Sequence, residues 1–467
     1  MPIRSTPPRG ILRSAGPGSV LALVLLLCGS AAAEPTDARS DPAPRCEVGS
    51  YHLRDGSSLD IGPGASGALR WRRPDGRTGA LTAQGRGRWR STLGWTGRPD
   101  GHQLVLRDCG RGGIRFDGTP GTRLALQETA TRFAVGGTTL AGRLTLPDGN
   151  ARVPIVVLVH GAEHDSALEN YSLQREFAAA GIGVFAYDKR GTGRSGGRYT
   201  QNYLTLANDA VLAAREARRL AGARLGRLGY QGGSQGGWVA PLAAKIEPVD
   251  FIIVSFGLAV SPLEEDREAI AFDMARAGHG ADVTAKAMAF ADATAVIVDS
   301  GFSEGFEQLA ALQARYADEP WYPAVRGNIT GYLLATPAAT ARIEGPRLLE
   351  GMPAHHDPMP VLANLEVPQL WIVGGQDRDA PPGETLRRLG ELQRTGRPIQ
   401  TRVFPEADHG MYEFELDAKG ERVSTRQPEG YLRLMQEFIR GEPLTPAATT
   451  RAAPASPRSS ALPPARR

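Results

Sequence analysis

The sequence predicts an α/β fold in which helices cover both faces of a largely parallel sheet. Continuous apolar runs such as Pro154–Val159 and Phe251–Phe256 indicate strands buried on both faces, which is typical of parallel sheets. Segments with helical periodicity alternate with these runs, as they do in three-layer α/β domains. More than one hundred residues separate Phe256 from the next such strand at Gln369, so an inserted helical cap is expected there.

The main domain is predicted to span residues 131–442, with its cap at about residues 262–365. A hairpin formed by Arg132–Val135 and Thr139–Leu146 should begin it. The further strands are expected at Pro154–Val159, Gly183–Tyr187, Leu225–Tyr230, Phe251–Phe256, Gln369–Val373 and Thr401–Phe404. The helices are expected at Leu204–Leu220, Trp238–Ile246, Glu384–Arg394 and Gly430–Arg440, and in the cap at Leu263–Ala277, Ala281–Val298 and Glu304–Ala317.

Residues 46–130 have a different pattern, which predicts a small β-rich domain. Their short apolar runs are separated by Gly, Pro and Asp, which is typical of short strands joined by turns. Those runs are Tyr51–Leu53, Ala68–Arg72, Gln103–Leu106 and Leu124–Gln127. Cys46 and Cys109 both fall in this domain, and an oxidising compartment would let them form a disulfide. The alternative is a pair of buried thiols.

The two ends of the chain are predicted to lie outside the folded domains. Three arginines precede the apolar run Val20–Leu27, and Ser30–Ala33 offers a cleavage site, so residues 1–33 read as a signal peptide. This run is too short to span a bilayer, although an N-terminal anchor is the alternative. The protein is therefore expected to be exported, either to the periplasm or into the medium. Residues 443–467 are rich in Pro, Ala, Ser and Arg and predict a disordered tail.

The net charge of +4 comes from these two ends. Without the three arginines of residues 1–33 and the four of residues 443–467, 47 basic residues face 50 acidic ones. A slightly acidic core argues against a nucleic-acid-binding protein. The eight histidines are scattered and no CxxC or HExxH pattern occurs, so neither a metal site nor a cofactor is predicted.

The segment Gly232–Gly236 matches the pattern G-x-S-x-G of a nucleophile elbow. Ser234 would lie at a sharp turn between the strand Leu225–Tyr230 and the helix Trp238–Ile246, where small neighbours let the chain pass closely. The segment Gly193–Gly197 also fits G-x-S-x-G, and Gly191–Gly196 fits a dinucleotide-binding fingerprint. Neither is followed directly by a helix, so we favour Ser234 as the nucleophile.

A nucleophilic serine needs a base and an orienting acid, and both are expected at the carboxyl ends of later strands. Asp377 follows the strand Gln369–Val373, and His409 follows the strand Thr401–Phe404. Asp379 is the alternative acid. The backbone N–H groups of Gln235 and Ala162 are the expected oxyanion donors. His160, beside Ala162, is expected to be a packed structural residue rather than a catalyst.

Together these motifs resemble the α/β-hydrolase superfamily over about Arg132–Glu442. Within it, the chain looks like the bacterial extracytoplasmic esterases and the serine aminopeptidase, dienelactone hydrolase and acyl-peptidase relatives. The resemblance implies that Asp188–Ser195 is a structural loop. It also implies a small residue or proline where this chain has Glu163.

The triad predicts acyl transfer through an acyl-enzyme, with a small-molecule ester or a peptide as substrate. Carboxylic esters are the first choice and aminoacyl amides the second, for which Glu264 or Glu265 could anchor the substrate amine; a solvated helix face is the alternative for both. Candidate wall residues of the substrate site are Phe256, Leu258, Trp321 and Tyr322, for which a place in the core of the cap is the favoured alternative. A different class of function is a binding protein, with the β-rich domain as the binding module.

Overall fold

Residues 49–123 form a closed barrel of eight antiparallel strands in the computed structural model, which describes residues 46–108 and 112–445. The strands are β1 Gly49–Leu53, β2 Ser58–Pro63, β3 Leu69–Arg72, β4 Thr78–Ala83, β5 Arg88–Leu93, β6 Pro99–Asp108, β7 Gly113–Phe116 and β8 Thr119–Arg123. Each strand pairs with the next, and β1 closes the barrel by pairing Tyr51 with Arg123. Alternate apolar residues such as Leu59, Ile61 and Trp71 fill the interior, so the barrel has a packed core.

The main sheet has eight strands in the order β9-β10-β12-β11-β13-β14-β15-β16. They are β9 Leu126–Val135, β10 Thr138–Pro147, β11 Val153–Val159, β12 Gly183–Tyr187, β13 Leu225–Gly233, β14 Phe251–Ser255, β15 Gln369–Gly374 and β16 Ile399–Phe404. Strand β10 is antiparallel to both neighbours, and the pairs from β12 to β16 are parallel. The predicted α/β fold is confirmed. Leu126, within the range predicted for the β-rich domain, begins β9 of the larger sheet instead.

Helices cover both faces of this sheet because its strands are apolar on both sides. One face carries α3 Tyr203–Ala221, α4 Gly236–Ile246, α10 Met359–Leu362 and α11 Pro382–Arg394. The other carries α1 Ala167–Asn170, α2 Leu173–Ala179 and α12 Tyr431–Arg440. Successive side chains of a strand point to opposite faces of the sheet. Val157 therefore packs toward the first face and Val156 toward the second.

The cap lies between β14 and β15 and has its own hydrophobic core, which includes Ile270, Phe290 and Trp321. Its helices are α5 Pro262–Arg276, α6 Ala281–Asp299, α7 Phe306–Tyr316, α8 Asn328–Ala335 and α9 Ala338–Leu348. A capping box between Ser261 and Glu264 starts α5 where the sheet ends. The expected helical insertion is thus present.

A small three-stranded sheet follows β16 and was not predicted from the sequence. It consists of β17 Ala407–Asp408, β18 Tyr412–Leu416 and β19 Arg422–Arg426. Strands β18 and β19 form an antiparallel hairpin directly after His409. The alternation of aromatic and acidic residues in Tyr412–Leu416 was the available signal.

Some sequence predictions concern residues outside the described ranges. They are the signal peptide, the tail beyond Thr445, and Cys109, so the disulfide with Cys46 stays a prediction. Among the helices of the described ranges, none combines the length and the hydropathy needed to cross a bilayer.

Candidate active site

Ser234 lies at the turn between β13 and α4, in a backbone conformation that is strained for a residue with a side chain. Its φ is +51°, in the left-handed region that non-glycine residues rarely adopt. A Cβ on Gly232 would lie 2.3 Å from the Gly236 carbonyl oxygen, and one on Gly236 would lie 2.8 Å from the Val159 oxygen. The glycines are therefore needed because the turn passes so close to β11 and to itself.

The structure brings Ser234, His409 and Asp377 into hydrogen-bonding distance of one another. The Nε2 atom of His409 lies 3.2 Å from the Ser234 Oγ atom. Its Nδ1 atom lies 3.1 Å from each carboxylate oxygen of Asp377. Each of the three residues follows a different strand, so the carboxyl edge of the sheet assembles them.

Asp377, rather than Asp379, is the carboxylate that contacts His409. Asp377 is fully buried, and its Oδ1 atom accepts hydrogen bonds from the backbone N–H groups of Asp379 (3.1 Å) and Ala380 (2.7 Å). The backbone N–H of His409 donates to Asp408 at 2.9 Å, and Asp408 also pairs with Arg422 at 2.6 Å. These bonds fix both loops that carry the pair.

Opposite charges dominate the electrostatics of His409. Burial disfavours the imidazolium, but the charge and hydrogen bond of Asp377, with the charges of Asp379 and Glu265, raise the pKa of His409 to about 10. The site thus stabilises a positive charge on this histidine, which is the charge that it acquires when it removes a proton from a serine.

One predicted oxyanion donor, Gln235, belongs to the elbow, and the other, Ala162, lies in the loop after β11. Gln235 is buried at the start of α4, and its side-chain amide donates to Gln201 at 2.9 Å. Ala162 is exposed in the loop after β11, where its carbonyl accepts a 2.6 Å hydrogen bond from the Tyr199 hydroxyl. Within the described ranges, neither backbone N–H is used in a hydrogen bond. Neither N–H group therefore has a competing acceptor in that part of the chain.

Glu163 belongs to a polar cluster under the same loop. One carboxylate oxygen lies 3.2 Å from His160 Nδ1 and also accepts from the Tyr171 hydroxyl. Burial raises the pKa of Glu163, but His160, Tyr171 and Lys189 outweigh it and lower that pKa to about 2. The Lys189 ammonium group donates to the Gly161 carbonyl at 2.8 Å. Glu163 therefore helps to hold the loop after β11 in place. His160 is buried and packed, as expected of a structural residue.

Ser195, the serine of the second G-x-S-x-G segment, has a structural role in its loop. Its hydroxyl donates to the Asp188 carbonyl at 2.6 Å and accepts from the Ala141 N–H at 2.9 Å. The buried Asp188 carboxylate accepts from the Ser166 hydroxyl and from the Arg194 N–H. The loop Asp188–Ser195 therefore has a structural role, since its hydrogen bonds hold it together and join it to β10.

One of the predicted wall residues lies beside the triad. Phe256, with φ of +44°, packs edge-on against the His409 ring at 5.0 Å between centroids. Leu258 is buried in the core beneath α4 and α11, and Trp321 is buried in the cap core against Phe290 and Tyr316. Tyr322 also packs on Phe290. The expectation that Leu258 and Trp321 line the substrate site therefore finds no contact that supports it, because both complete hydrophobic cores.

The adjacent glutamates of α5 have different surroundings. Glu264 closes the capping box and pairs with Arg388 at 2.6 Å. Glu265 accepts a 2.9 Å hydrogen bond from Asn328 and is electrostatically coupled to His409. Burial, with neighbouring acids, raises the pKa of Glu265 well above its usual range although the charge of His409 opposes this. Glu265 is thus the acid that the cap brings toward the triad.

Two family models match the two halves of this site. Residues 151–264 match the serine aminopeptidase family S33, and residues 350–423 match the prolyl oligopeptidase family. The first range contains Ser234, and the second contains Asp377 and His409. The chain is an α/β hydrolase. Both matches support a serine hydrolase, and they leave the choice between esters and peptide amides open.

Solved structures similar to this hydrolase are distant. An esterase of Pyrococcus furiosus is 13% identical, with a TM-score of 0.40, over 61% of this chain and 84% of the esterase. An acylaminoacyl peptidase of Pyrococcus horikoshii is 16% identical, with a TM-score of 0.41, over 84% of this chain and 55% of the peptidase. A proline iminopeptidase of Mycobacterium smegmatis is 17% identical, with a TM-score of 0.41, over 67% and 98%. No curated protein matches the sequence.

Sequence reasoning missed two features around the site of this hydrolase. Gln201 links the Gln235 amide to the cap by donating to the Leu348 carbonyl at 2.6 Å, and no motif marks it. The second feature that sequence reasoning missed is the β18–β19 hairpin that follows His409. In the described part of the chain, no group of three or more His, Cys, Asp or Glu residues is arranged to hold a metal ion.

Proposed function

We propose that this hydrolase cleaves carboxylic esters, or closely related acyl bonds, through a Ser234–His409–Asp377 triad. The observation that carries the proposal is the continuous chain of contacts from the Asp377 carboxylate through His409 to the Ser234 hydroxyl. Ser234 adopts a left-handed conformation just before a helix, and its Oγ atom lies 3.2 Å from the base His409. This is the arrangement of a serine that is ready for nucleophilic attack.

The reaction proceeds in two steps. His409 Nε2 takes the Ser234 proton while Oγ bonds to the acyl carbon, and the resulting oxyanion accepts hydrogen bonds from the N–H groups of Gln235 and Ala162. His409 then protonates the leaving group as its bond to carbon breaks. Water, deprotonated by His409, attacks the acyl-enzyme and releases the acid and Ser234. Asp377 orients the imidazole throughout, and no cofactor enters the balance.

The test is a panel of p-nitrophenyl esters, a thioester and aminoacyl p-nitroanilides, each assayed with Ser234→Ala as control. We expect turnover of the esters with a burst of p-nitrophenol, and loss of turnover and burst in Ser234→Ala. Retained ester turnover in a folded Ser234→Ala variant would show that another group is the nucleophile.

An aminopeptidase is the second candidate, and Glu265 is the observation that favours it. Asn328 joins the Glu265 carboxyl group of the cap to the Asp379 carbonyl, two residues after Asp377, and from there this carboxyl group could pair with the free amine of an aminoacyl substrate. This function predicts that the aminoacyl anilides outperform the esters, that N-acetylation abolishes the advantage, and that Glu265→Gln removes it. Glu264→Gln is the matched control, because Glu264 is engaged with Arg388.

A binding function located inside the barrel has less support. The barrel interior is occupied by large side chains, including Tyr51, Trp71 and Phe116. Nucleic acid is not a proposed partner, since the middle of the chain carries slightly more acids than bases.

Export belongs to the same proposal. We propose that residues 1–33 are removed during transport to the periplasm or the medium, and that Cys46 bonds to Cys109 there. Mass spectrometry of the native protein should find Glu34 as the first residue and a Cys46–Cys109 cross-link in the non-reduced digest. An intact N-terminus or two alkylated thiols would contradict the respective part.

A further inference from the structure

We propose that the N-terminal barrel positions His409 by holding the β18–β19 hairpin. This inference rests on the proposed function, in which His409 is the base. It gives the barrel a role in acyl transfer that requires no ligand inside it.

The loop that carries His409 needs external support because its backbone is strained. Gly410 has a φ of +73° and Met411 a φ of +60°. Consecutive left-handed residues are unusual, and a non-glycine residue remains there only when its surroundings hold it. The Met411 side chain is fully buried in the core under α12, which fixes one side of the loop.

The hairpin supplies the support on the other side. Asp408, directly before His409, pairs with Tyr412 where β17 meets β18, and the Met411 N–H donates to the Asp408 carbonyl at 3.1 Å. The Tyr412 ring packs against Gly410, and a Cβ atom on Gly410 would lie 3.2 Å from the nearest ring atom. A shift of β18 would therefore move the backbone on both sides of His409.

The barrel holds this hairpin through two backbone hydrogen bonds and through several side chains. The Trp95 N–H donates to the Ser424 carbonyl, and the Gln427 N–H donates to the Gly76 carbonyl, both at 2.9 Å. The Trp95 ring packs edge-on against Tyr412 at 4.7 Å between centroids. The outer ends are joined by Arg98 and Glu415, whose two hydrogen bonds are 2.9 and 2.8 Å long, and by Arg426, which donates to the Asp75 carbonyl at 2.6 Å.

Two glycines make this close approach possible. A Cβ on Gly94 would lie 2.5 Å from the Ser424 oxygen and the Thr425 Cα atom, and one on Gly76 would lie 2.1 Å from the Gln427 oxygen. Gly97, three residues after Gly94 and also left-handed with a φ of +70°, would meet nothing within 4 Å. A methyl group at position 94 would thus push the hairpin away, while the same change at position 97 would bring only backbone strain.

The barrel can hold the hairpin in a fixed position because it is also attached to helix α2 of the main domain. Its β2 residue Asp60 forms two buried hydrogen bonds with Arg175 of α2, at 2.7 and 2.9 Å. The Ser50 hydroxyl donates to the Arg175 carbonyl at 3.3 Å. With a packed interior between these contacts and the hairpin, the barrel forms a rigid bridge from α2 to the His409 loop.

The experiment compares Gly94→Ala with Gly97→Ala in the full-length protein, using the best ester of the panel. We expect kcat of Gly94→Ala to fall on the order of 10- to 100-fold with little change in KM, because displacing a catalytic group by about 1 Å has effects of this size. We expect Gly97→Ala to stay within about threefold of the parent. Equal kcat values for the two folded variants would overturn the inference.

The pH profile separates positioning from a loss of folded enzyme. Asp377 raises the pKa of His409, so a displaced His409 should show an acid limb of kcat/KM at lower pH than the parent. A smaller fraction of folded enzyme would reduce kcat/KM at every pH equally, and this result would also overturn the inference. If Gly94→Ala does not fold, Trp95→Ala takes its place, because Trp95 is 42% exposed and its ring contacts Tyr412 of the hairpin. This variant also removes the stacking of Arg70, a barrel residue, on the Trp95 ring at 3.6 Å.

Ser234→Ala, assayed in parallel, separates failure of the inference from failure of the proposed function. If Ser234→Ala remains active, the triad is wrong, whatever Gly94→Ala does. If Ser234→Ala is inactive and Gly94→Ala equals Gly97→Ala, the triad stands and the role of the barrel is refuted.

Discussion

The cap and the barrel flank the same triad, but they reach it through different kinds of contact. The cap contacts the Asp377 loop through side chains, with Arg378 bonded twice to Asp273 of α5 and Asn328 donating to the Asp379 carbonyl. The barrel also uses side chains, but two backbone hydrogen bonds and two close-packed glycines join it directly to the hairpin beyond His409. Long side chains adjust as a cap moves, whereas paired backbones fix a distance. We therefore expect the cap to influence substrate binding and the barrel to influence the rate of chemistry.

Removing the charge of Asp377 should have the largest effect, since both regions act on the triad that it orients. Asp377→Asn should lower kcat by about 10⁴-fold, because the amide no longer fixes the imidazole tautomer or stabilises its cation. Asp379→Asn is the matched control and should keep kcat within about threefold at the pH optimum, since only its backbone N–H contacts Asp377 and its charge acts on His409 from a distance. Steady-state kinetics of both variants measure this, and a larger loss for Asp379→Asn would reverse the assignment.

Breaking the second anchor of the barrel tests whether that anchor stabilises the fold. Asp60→Ala leaves the buried Arg175 guanidinium without its carboxylate and should lower the free energy of unfolding by about 3–5 kcal/mol. Urea titration measures it. The control Asp55→Ala, on an exposed turn of the same barrel, should leave the urea midpoint unchanged. Equal midpoints for the two variants would mean that the barrel is not held at α2.

The pH dependence of kcat/KM tests the electrostatics of His409, the triad residue next to the hairpin that the barrel holds. His409 must be neutral to accept the serine proton, and its pKa is raised above the usual 6.5. We expect kcat/KM to fall about tenfold per pH unit as the pH drops below that raised pKa. The same shift means that the imidazolium stabilises the fold below pH 6.5, and that this stabilisation is lost as the pH rises through the raised pKa. An acid limb below 6.5 in the parent enzyme would contradict this account.

The cap should give the smallest effect, and mainly on KM. Asn328 donates to Glu265 and to the Asp379 carbonyl, so Asn328→Ala loosens the cap without touching His409. We expect KM to rise about three- to tenfold, with kcat changed less. A drop in kcat at constant KM would show that the cap, like the barrel, controls the chemistry.

Much of the triad could be predicted because each member follows a strand whose apolar run is visible in the sequence. Ser234, Asp377 and His409 come from three distant segments, yet the parallel sheet brings their strand ends to one edge. Leu258 and Trp321 could not be placed in this way. A large apolar residue has the same sequence pattern in a core as in a pocket wall, and only packing distinguishes the two.

The barrel and the hairpin show where local patterns are insufficient. The barrel closes through pairing of β1 with β8, between residues about seventy positions apart, and nothing local encodes that register. Tyr412–Leu416 alternates, but four of its residues are only partly buried and Leu416 is exposed, so the strand has no buried face that would mark it. Its partner on the barrel is more than three hundred residues away in sequence.

The central claim is that Ser234 is the nucleophile activated by His409, and covalent labelling tests it most directly. The full-length protein is treated with a fluorophosphonate at pH 8, digested, and the labelled residue is located by mass spectrometry. The account predicts one adduct, on Ser234, formed in step with the loss of esterase activity and greatly slowed in His409→Ala. Labelling of another serine that tracks the loss of activity, or inactivation without an adduct on Ser234, would contradict it.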